Sequence, residues 1–138
     1  MYQRTVALGA LLTGVGVILG AFGAHALKGS LTDYGVDVFK TASFYHLIHG
    51  IALLGVTALG SSGVIPHRLA YRVAALFAAG IAIFSGSLYL LAVTEVRWLG
   101  AITPIGGLLM IVGWLILGFG ALYPAGLKGR IDNPPPQG

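Results

Sequence analysis

Three histidines and two tyrosines are the residues of this chain best suited to chemistry. His46 and His49 are three residues apart, which places both side chains on one face of a helix. Tyr45 stands beside them, and His25 and Tyr89 lie close to the ends of other apolar segments. Imidazole and phenol groups can hydrogen-bond a ligand, bind a transition metal or carry a proton near neutral pH.

The elements that position these residues are membrane spans. Hydrophobic residues make up 57% of the 138 residues and charged residues only 9%, whereas soluble domains carry roughly 25% charged residues. Four apolar segments stand out, at residues 5–27, 41–60, 70–93 and 103–123. Each is long enough to cross a hydrocarbon core of ~30 Å at ~1.5 Å per residue. We predict an all-α, integral membrane four-helix bundle with up-down-up-down topology, forming one domain at 1–123, and a disordered tail at 124–138.

This topology brings the polar residues to one side of the membrane, where helices 1 and 3 end and helices 2 and 4 begin. An ionisable group at membrane depth marks a functional site. We therefore predict a ligand-binding site formed by His25, Tyr45, His46, His49 and Tyr89. The supporting polar residues around it are Lys40, Ser85, Glu95 and Thr103.

Small residues predict how the helices pack, because they let helix backbones approach closely in a membrane. The chain holds 22 glycines, and helix 1 has small residues on two faces, which predicts a central position for it. The segment 28–40 reads as the longest loop, with a short amphipathic helix lying in the interface. Thr103, directly before Pro104, is predicted to be the N-cap of helix 4.

Composition also excludes several functions. Without cysteine the chain has no disulfide, thiolate nucleophile or thiolate-bound metal. The net charge of +4 is spread over tails and loops, so no basic stripe indicates nucleic-acid binding. Ser85 and Ser87 lie within a helix and no phosphate-binding loop follows a strand, so we predict no enzymatic activity. Lysine and arginine number five on the side of the termini and three on the other side, which predicts cytoplasmic termini.

The residues alone leave the occupant of the polar cluster open. A lipid-like or quinone-like ligand needs only hydrogen-bond donors, aromatic rings and an apolar surrounding, and a membrane protein partner would meet the same groups. Transport or proton handling by a homo-oligomer is an alternative, and a metal or haem is another, since histidines on a helical bundle can ligate either. Buried His and Tyr side chains can also simply hydrogen-bond a neighbouring helix.

Five motifs resemble a known family. They are Gly20-Ala21-Phe22-Gly23-Ala24-His25-Ala26-Leu27, Phe39-Lys40-Thr41-Ala42 with Tyr45-His46-Leu47-Ile48-His49, Phe84-Ser85-Gly86-Ser87-Leu88-Tyr89, Thr103-Pro104-Ile105-Gly106-Gly107 and Gly113-Trp114. In this order they resemble small four-helix membrane proteins of unknown function, with YgdD-like and YwdK-like bacterial members and animal relatives. The resemblance extends to Leu122 and implies a multi-pass protein of the bacterial inner (plasma) membrane. It implies no mechanism.

Overall fold

A computed structural model describes residues 2–25, 27 and 29–122, which include four long helices. They are α1 (Tyr2–His25), α2 (Asp33–Ser61), α3 (His67–Thr94) and α4 (Leu99–Leu122). Each is long and apolar enough to cross a membrane, and the described part of the chain contains no strand. The predicted all-α membrane bundle is confirmed. The tail at 124–138, predicted to be disordered, lies outside the described residues.

The helices pack in chain order, α1 on α2, α2 on α3 and α3 on α4. Each pair is antiparallel, which gives the predicted up-down-up-down topology. We call the end where α1 and α3 finish and α2 and α4 begin the upper end. The main apolar core lies in the lower half, where Leu53, Val56, Val73 and Phe77 are buried together. The upper half therefore has room for polar side chains between the helices.

The central position predicted for α1 is wrong, because α1 packs mainly on α2 and lies at the edge of the bundle. Its glycine face contacts α2: a Cβ at Gly9, Gly16 or Gly23 would lie 2.6–3.0 Å from side chains of that helix. The opposite small face is exposed along its length, at Ala7, Ala10, Gly14 and Ala21. Of the two faces of α1 that carry small residues, only the glycine face packs against another helix of this chain.

The long loop predicted before helix 2 is also wrong, since α2 already begins at Asp33. Thr32 is its N-cap and accepts a hydrogen bond from the Gly35 N–H over 3.1 Å. At 29 residues, α2 extends about 44 Å at ~1.5 Å per residue, so it reaches beyond the ~30 Å hydrocarbon core. Its first turns pass close to the end of α3, where a Cβ on Gly35 would lie 3.0 Å from the Ala92 carbonyl oxygen.

Thr103 is not the N-cap of the fourth helix, because α4 starts one turn earlier, at Leu99. Pro104 consequently lies inside the helix, where it donates no backbone hydrogen bond to the carbonyl of Gly100. Two residues after Pro104, at Gly106, α4 makes a very close approach to α3. A Cβ on Gly106 would lie 2.8 Å from the Cα of Phe84.

The third helix contains an irregularity that the sequence analysis missed. Its α-helical segments His67–Gly80 and Gly86–Thr94 are joined by one π-helical turn at Ile81–Ser85. Single π turns inside α-helices occur frequently at functional sites. This one lies level with the polar residues of α2, and it ends at the buried Ser85.

Candidate functional site

The predicted site residues separate into buried and exposed groups. His46 and His49 are buried on α2, Ser85 is buried on α3, and Tyr89 is half-buried. His25 is exposed at the last residue of α1. Lys40, Tyr45 and Glu95 are exposed as well, whereas Thr103 is buried on α4. The two buried histidines, rather than all three, form the centre of the polar cluster.

His46 belongs to a chain of three polar side chains that joins α2 to α3. The Tyr89 hydroxyl lies 3.4 Å from Nδ1 of His46 and donates to the Ser43 hydroxyl over 3.3 Å. A serine or tyrosine hydroxyl both donates and accepts, and a neutral imidazole does so at its two nitrogens. The direction of the hydrogen bonds along this chain can therefore reverse, so that Ser43 offers a ligand either a donor or an acceptor.

The second ring nitrogen of His46 makes no well-aligned hydrogen bond, although the backbone of Leu12 on α1 lies near the ring. This nitrogen, Nε2, is buried. The ring faces α1, where a Cβ on Gly16 would lie 3.4 Å from the neighbouring Cδ2 atom. A buried polar atom left unpaired costs roughly 1–3 kcal/mol. His46 is thus held in place on one side and unsatisfied on the other.

His49, by contrast, uses both ring nitrogens. Nδ1–H donates to the Tyr45 carbonyl over 2.9 Å, and Nε2 accepts from the indole N–H of Trp114 over 3.2 Å. A carbonyl only accepts and an indole N–H only donates, so these partners fix one neutral tautomer. Phe77 packs edge-on against the same ring at 5.3 Å. His49 therefore connects α2 to α4 and has no nitrogen left for a ligand, a metal or a mobile proton.

Tyr45 supports this region through its ring. It stacks on His49 with the ring centres 6.0 Å apart and an interplanar angle of 11°, and it packs on Phe84 at 4.8 Å. Ser85 follows Phe84, and its buried hydroxyl has no hydrogen-bond partner among the described residues. Ser85 and Tyr89 are four residues apart and lie on one face of α3.

The remaining predicted residues form separate contacts nearer the ends of the helices. Thr103 bonds to Ser87 over 2.8 Å, which links α4 to α3. Glu95 accepts a hydrogen bond from the Thr32 hydroxyl over 3.2 Å. Lys40 forms an exposed ion pair with Asp37 at 3.6 Å. None of these contacts includes His46 or His49.

A cavity of about 160 Å³ near the upper end is lined by Ser43, the one member of the Ser43–Tyr89–His46 chain that it reaches. Gly20 and Gly23 of α1 leave space for it, and Phe39, Lys40 and Ser43 of α2 line its other side. Ser43 is the deepest of the three and Lys40 lies one turn closer to the membrane surface. The volume is comparable with the ~150 Å³ that accommodates one benzene-sized ring in a protein interior.

Two residues that take part in the site were not among the predicted ones. Ser43 lies between the two parts of a recognised motif, after Phe39-Lys40-Thr41-Ala42 and before Tyr45, and Trp114 entered the sequence analysis only through the resemblance. The spacing of Ser43 and His46 was a usable signal, because side chains three residues apart lie on the same face of a helix. Among the described residues, no three His, Cys, Asp or Glu side chains gather closely enough to hold a metal ion.

Comparison with known proteins places this arrangement in a family. Residues 19–107 match a family model described as a protein of unknown function, DUF423. The chain belongs to the DUF423 family. The match includes every predicted site residue from His25 to Thr103, and it ends before Trp114, the partner of His49.

Relatives of this DUF423 chain are named UPF0382 membrane proteins. One from Staphylococcus epidermidis is 46% identical over 121 residues, which cover 88% of this chain and 97% of the relative. One from Staphylococcus haemolyticus is 47% identical over 112 residues, covering 81% and 89%. YwdK of Bacillus subtilis is 42% identical over 114 residues, covering 81% and 90%. The predicted resemblance is confirmed, and no solved structure matches the chain significantly.

Proposed function

We propose that this chain is a non-enzymatic membrane protein that binds an amphiphile in the cavity between α1 and α2. The ligand has an oxygen-bearing head group, as a lipid ester or a quinone has, and an apolar body. The observation that carries the proposal is the position of Ser43. Its hydroxyl lines the cavity and is connected through Tyr89 to His46, whose Nε2 makes no well-aligned hydrogen bond.

The walls of the cavity suit such a ligand. Leu31, Val36 and Phe39 are apolar, and Gly20 and Gly23 present bare backbone on the α1 side. Lys40 lies at the upper side, where its flexible ammonium group can reach a phosphate or carbonyl oxygen at the membrane surface. A ring-sized head group held by Ser43 and Lys40 would fill the volume and leave the hydrocarbon body in the membrane.

Proton transport receives less support from the geometry. His49, the deeper of the two buried histidines, is fixed in one tautomer by Tyr45 and Trp114. The lower half of the bundle is filled by an apolar core in which Phe77 and Leu53 are fully buried. A proton path through a single chain would have to cross that core.

The test is native mass spectrometry of the purified protein. It compares a variant in which a new side chain fills the cavity with proteins whose cavity is unchanged. A Cβ on Gly20 has only the Ser43 Cβ near it, at 4.0 Å, so Gly20→Leu fills the cavity without a backbone clash. Gly14→Leu is the matched control, because a Cβ there meets nothing within 4 Å. We expect a bound mass on wild type and on Gly14→Leu, and the loss of one bound molecule per chain on Gly20→Leu.

The mass of the bound molecule distinguishes a lipid from a quinone. Acyl fragments then confirm a lipid, and isoprenoid fragments confirm a quinone. A wild-type chain that carries no small molecule, or equal retention by Gly20→Leu and Gly14→Leu, would contradict the proposal. A bare oligomer or a co-purifying protein would instead indicate that the site serves a partner.

We further propose a bacterial inner-membrane location with cytoplasmic termini, so that the upper end faces away from the cytoplasm. The chain has no cysteine, which makes single-cysteine labelling straightforward. Ser30→Cys at the upper end should react with an impermeant maleimide in intact cells, and Ser62→Cys at the lower end should not. The reverse labelling pattern would invert the orientation.

A further inference from the structure

A second and larger cavity lies at the upper end, apart from the α1–α2 cavity. It has a volume of about 630 Å³, and its lining residues come from the start of α2, the end of α3 and the beginning of α4. These residues are Thr32, Tyr34, Leu91, Glu95, Arg97 and Gly100. No residue lines both cavities, so the two can be altered independently.

The cavity carries one negative and one positive side chain that do not neutralise each other. Glu95 and Arg97 both line it but form no ion pair with each other. In the described part of the chain the ion pair is that of Lys40 with Asp37. Glu95 accepts a hydrogen bond from the Thr32 hydroxyl over 3.2 Å, which holds its carboxylate on the α2 side. Two opposite charges that line one cavity without forming an ion pair with each other are complementary to a ligand that carries both charges.

A backbone carbonyl near the cavity can act as a further acceptor. Gly100 lines the cavity, and its carbonyl receives no α-helical hydrogen bond because Pro104, four residues later, has no N–H. An ammonium group donates up to three hydrogen bonds. The Glu95 carboxylate and a backbone carbonyl are the acceptors that such a group requires, whereas a guanidinium such as Arg97 pairs with phosphate.

The position of the cavity indicates a lipid rather than a soluble molecule. Tyr34 and Trp98 are strongly exposed at this end of the bundle, as aromatic residues are at the membrane interface. Leu91 provides an apolar wall that continues into the membrane span of α3. A head group bound here has its acyl chains directed along that helix.

We propose that this cavity binds the head group of a zwitterionic phospholipid with a primary amine, its phosphate at Arg97 and its ammonium group at Glu95. A purely anionic head group lacks the cation that Glu95 requires. A quaternary ammonium group donates no hydrogen bond and is usually held by several aromatic faces, whereas Tyr34 is the single aromatic residue in the lining. Phosphatidylethanolamine is therefore preferred to phosphatidylglycerol and phosphatidylcholine.

The test uses the full-length protein, delipidated in detergent and then incubated with equimolar phosphatidylethanolamine, phosphatidylcholine and phosphatidylglycerol. Retained lipid is measured by native mass spectrometry. We expect wild type to retain phosphatidylethanolamine at least about 5-fold over the other two. Glu95→Gln should abolish that preference, and Arg97→Gln should reduce retention of both phosphatidylethanolamine and phosphatidylglycerol.

Asp37→Asn is the matched control, since it removes another exposed carboxylate of the same end, and it should keep the wild-type preference. Equal retention of the three lipids by wild type would overturn the proposal, as would a loss of preference in Asp37→Asn. Soluble phosphoethanolamine should not displace the lipid at equal concentration; displacement would show that the cavity recognises a soluble zwitterion. Gly20→Leu should leave this preference intact, which separates failure here from failure of the α1–α2 site.

Discussion

The indole N–H of Trp114 donates a hydrogen bond to Nε2 of His49 over 3.2 Å, and this contact ties α4 to α2 across the bundle. One turn higher on α2, His46 leaves its own Nε2 buried and without a partner among the described residues. Two histidines three residues apart thus have opposite environments. We interpret His49 as a structural residue and His46 as part of the ligand site.

Trp114→Phe should destabilise the bundle. Phe keeps an aromatic ring against Phe77, whose centre lies 5.0 Å from that of Trp114, but it removes the donor to His49. Interhelical hydrogen bonds in membranes average ~0.6 kcal/mol and reach ~1.7, so we expect a loss of about 1 kcal/mol. Circular dichroism during titration with sodium dodecyl sulfate measures it. Trp98→Phe, at a side chain that is 64% exposed, should leave the midpoint unchanged, and an equal shift in both variants would refute the assignment.

The two histidines should respond differently to replacement by leucine. His49→Leu removes two hydrogen bonds and leaves the Trp114 donor unpaired, which should lower the free energy of unfolding by ~1–3 kcal/mol. His46→Leu removes a long contact of 3.4 Å with the Tyr89 hydroxyl and a buried Nε2 that makes no hydrogen bond, so the loss of stability should be smaller than for His49→Leu. The same titration compares them. A larger loss for His46→Leu than for His49→Leu would contradict the division of roles.

Much of the fold followed from the sequence, because four apolar segments in a chain with few charges permit little else. The helix starts were misjudged because Asp33, Asp37 and Lys40 read as loop residues, although α2 extends past the hydrocarbon core into the interface. Thr32, three residues before Gly35, is a helix-capping residue at the point where α2 begins. Pattern alone could not decide which small face of α1 would pack, since both faces offered similar spacing.

The contacts of the site were harder to predict than its location. His49 and Trp114 are 65 residues apart, and their meeting depends on how α2 and α4 are rotated about their axes. That rotation depends on side-chain packing along each interface, beginning with close approaches such as Gly106 on Phe84. The π turn of α3 has no local sequence pattern that we recognise.

Gly106→Ala should be strongly destabilising. The added methyl would lie 2.8 Å from the Cα of Phe84, so the backbones of α3 and α4 must separate. Overpacking of this kind typically costs ~1–3 kcal/mol, and the Ser87–Thr103 hydrogen bond one turn away would lengthen. Gly118→Ala on the same helix meets nothing within 4 Å and is the control. Unfolding midpoints that are equal for the two variants would show that this close approach is not required.

Glu95→Gly should make the protein more stable while it removes the preference for phosphatidylethanolamine. Glu95 ends α3 with φ 56° and ψ 17°, a left-handed conformation that costs most residues ~1–2 kcal/mol and glycine very little. We expect a gain of about 1 kcal/mol in the unfolding titration. Val96→Gly, at the next residue, should give no gain. A destabilised Glu95→Gly chain would show that the carboxylate serves the fold.

The most direct test of the central claim is the retention of a small molecule by wild type and by His46→Leu in native mass spectrometry under identical detergent and collision conditions. We predict a discrete lipid or quinone mass on wild type that is lost from His46→Leu, although that variant still folds and loses less stability than His49→Leu. Full retention of the same mass by His46→Leu would show that the Ser43–Tyr89–His46 chain is a helix contact and that the ligand, if bound, lies elsewhere.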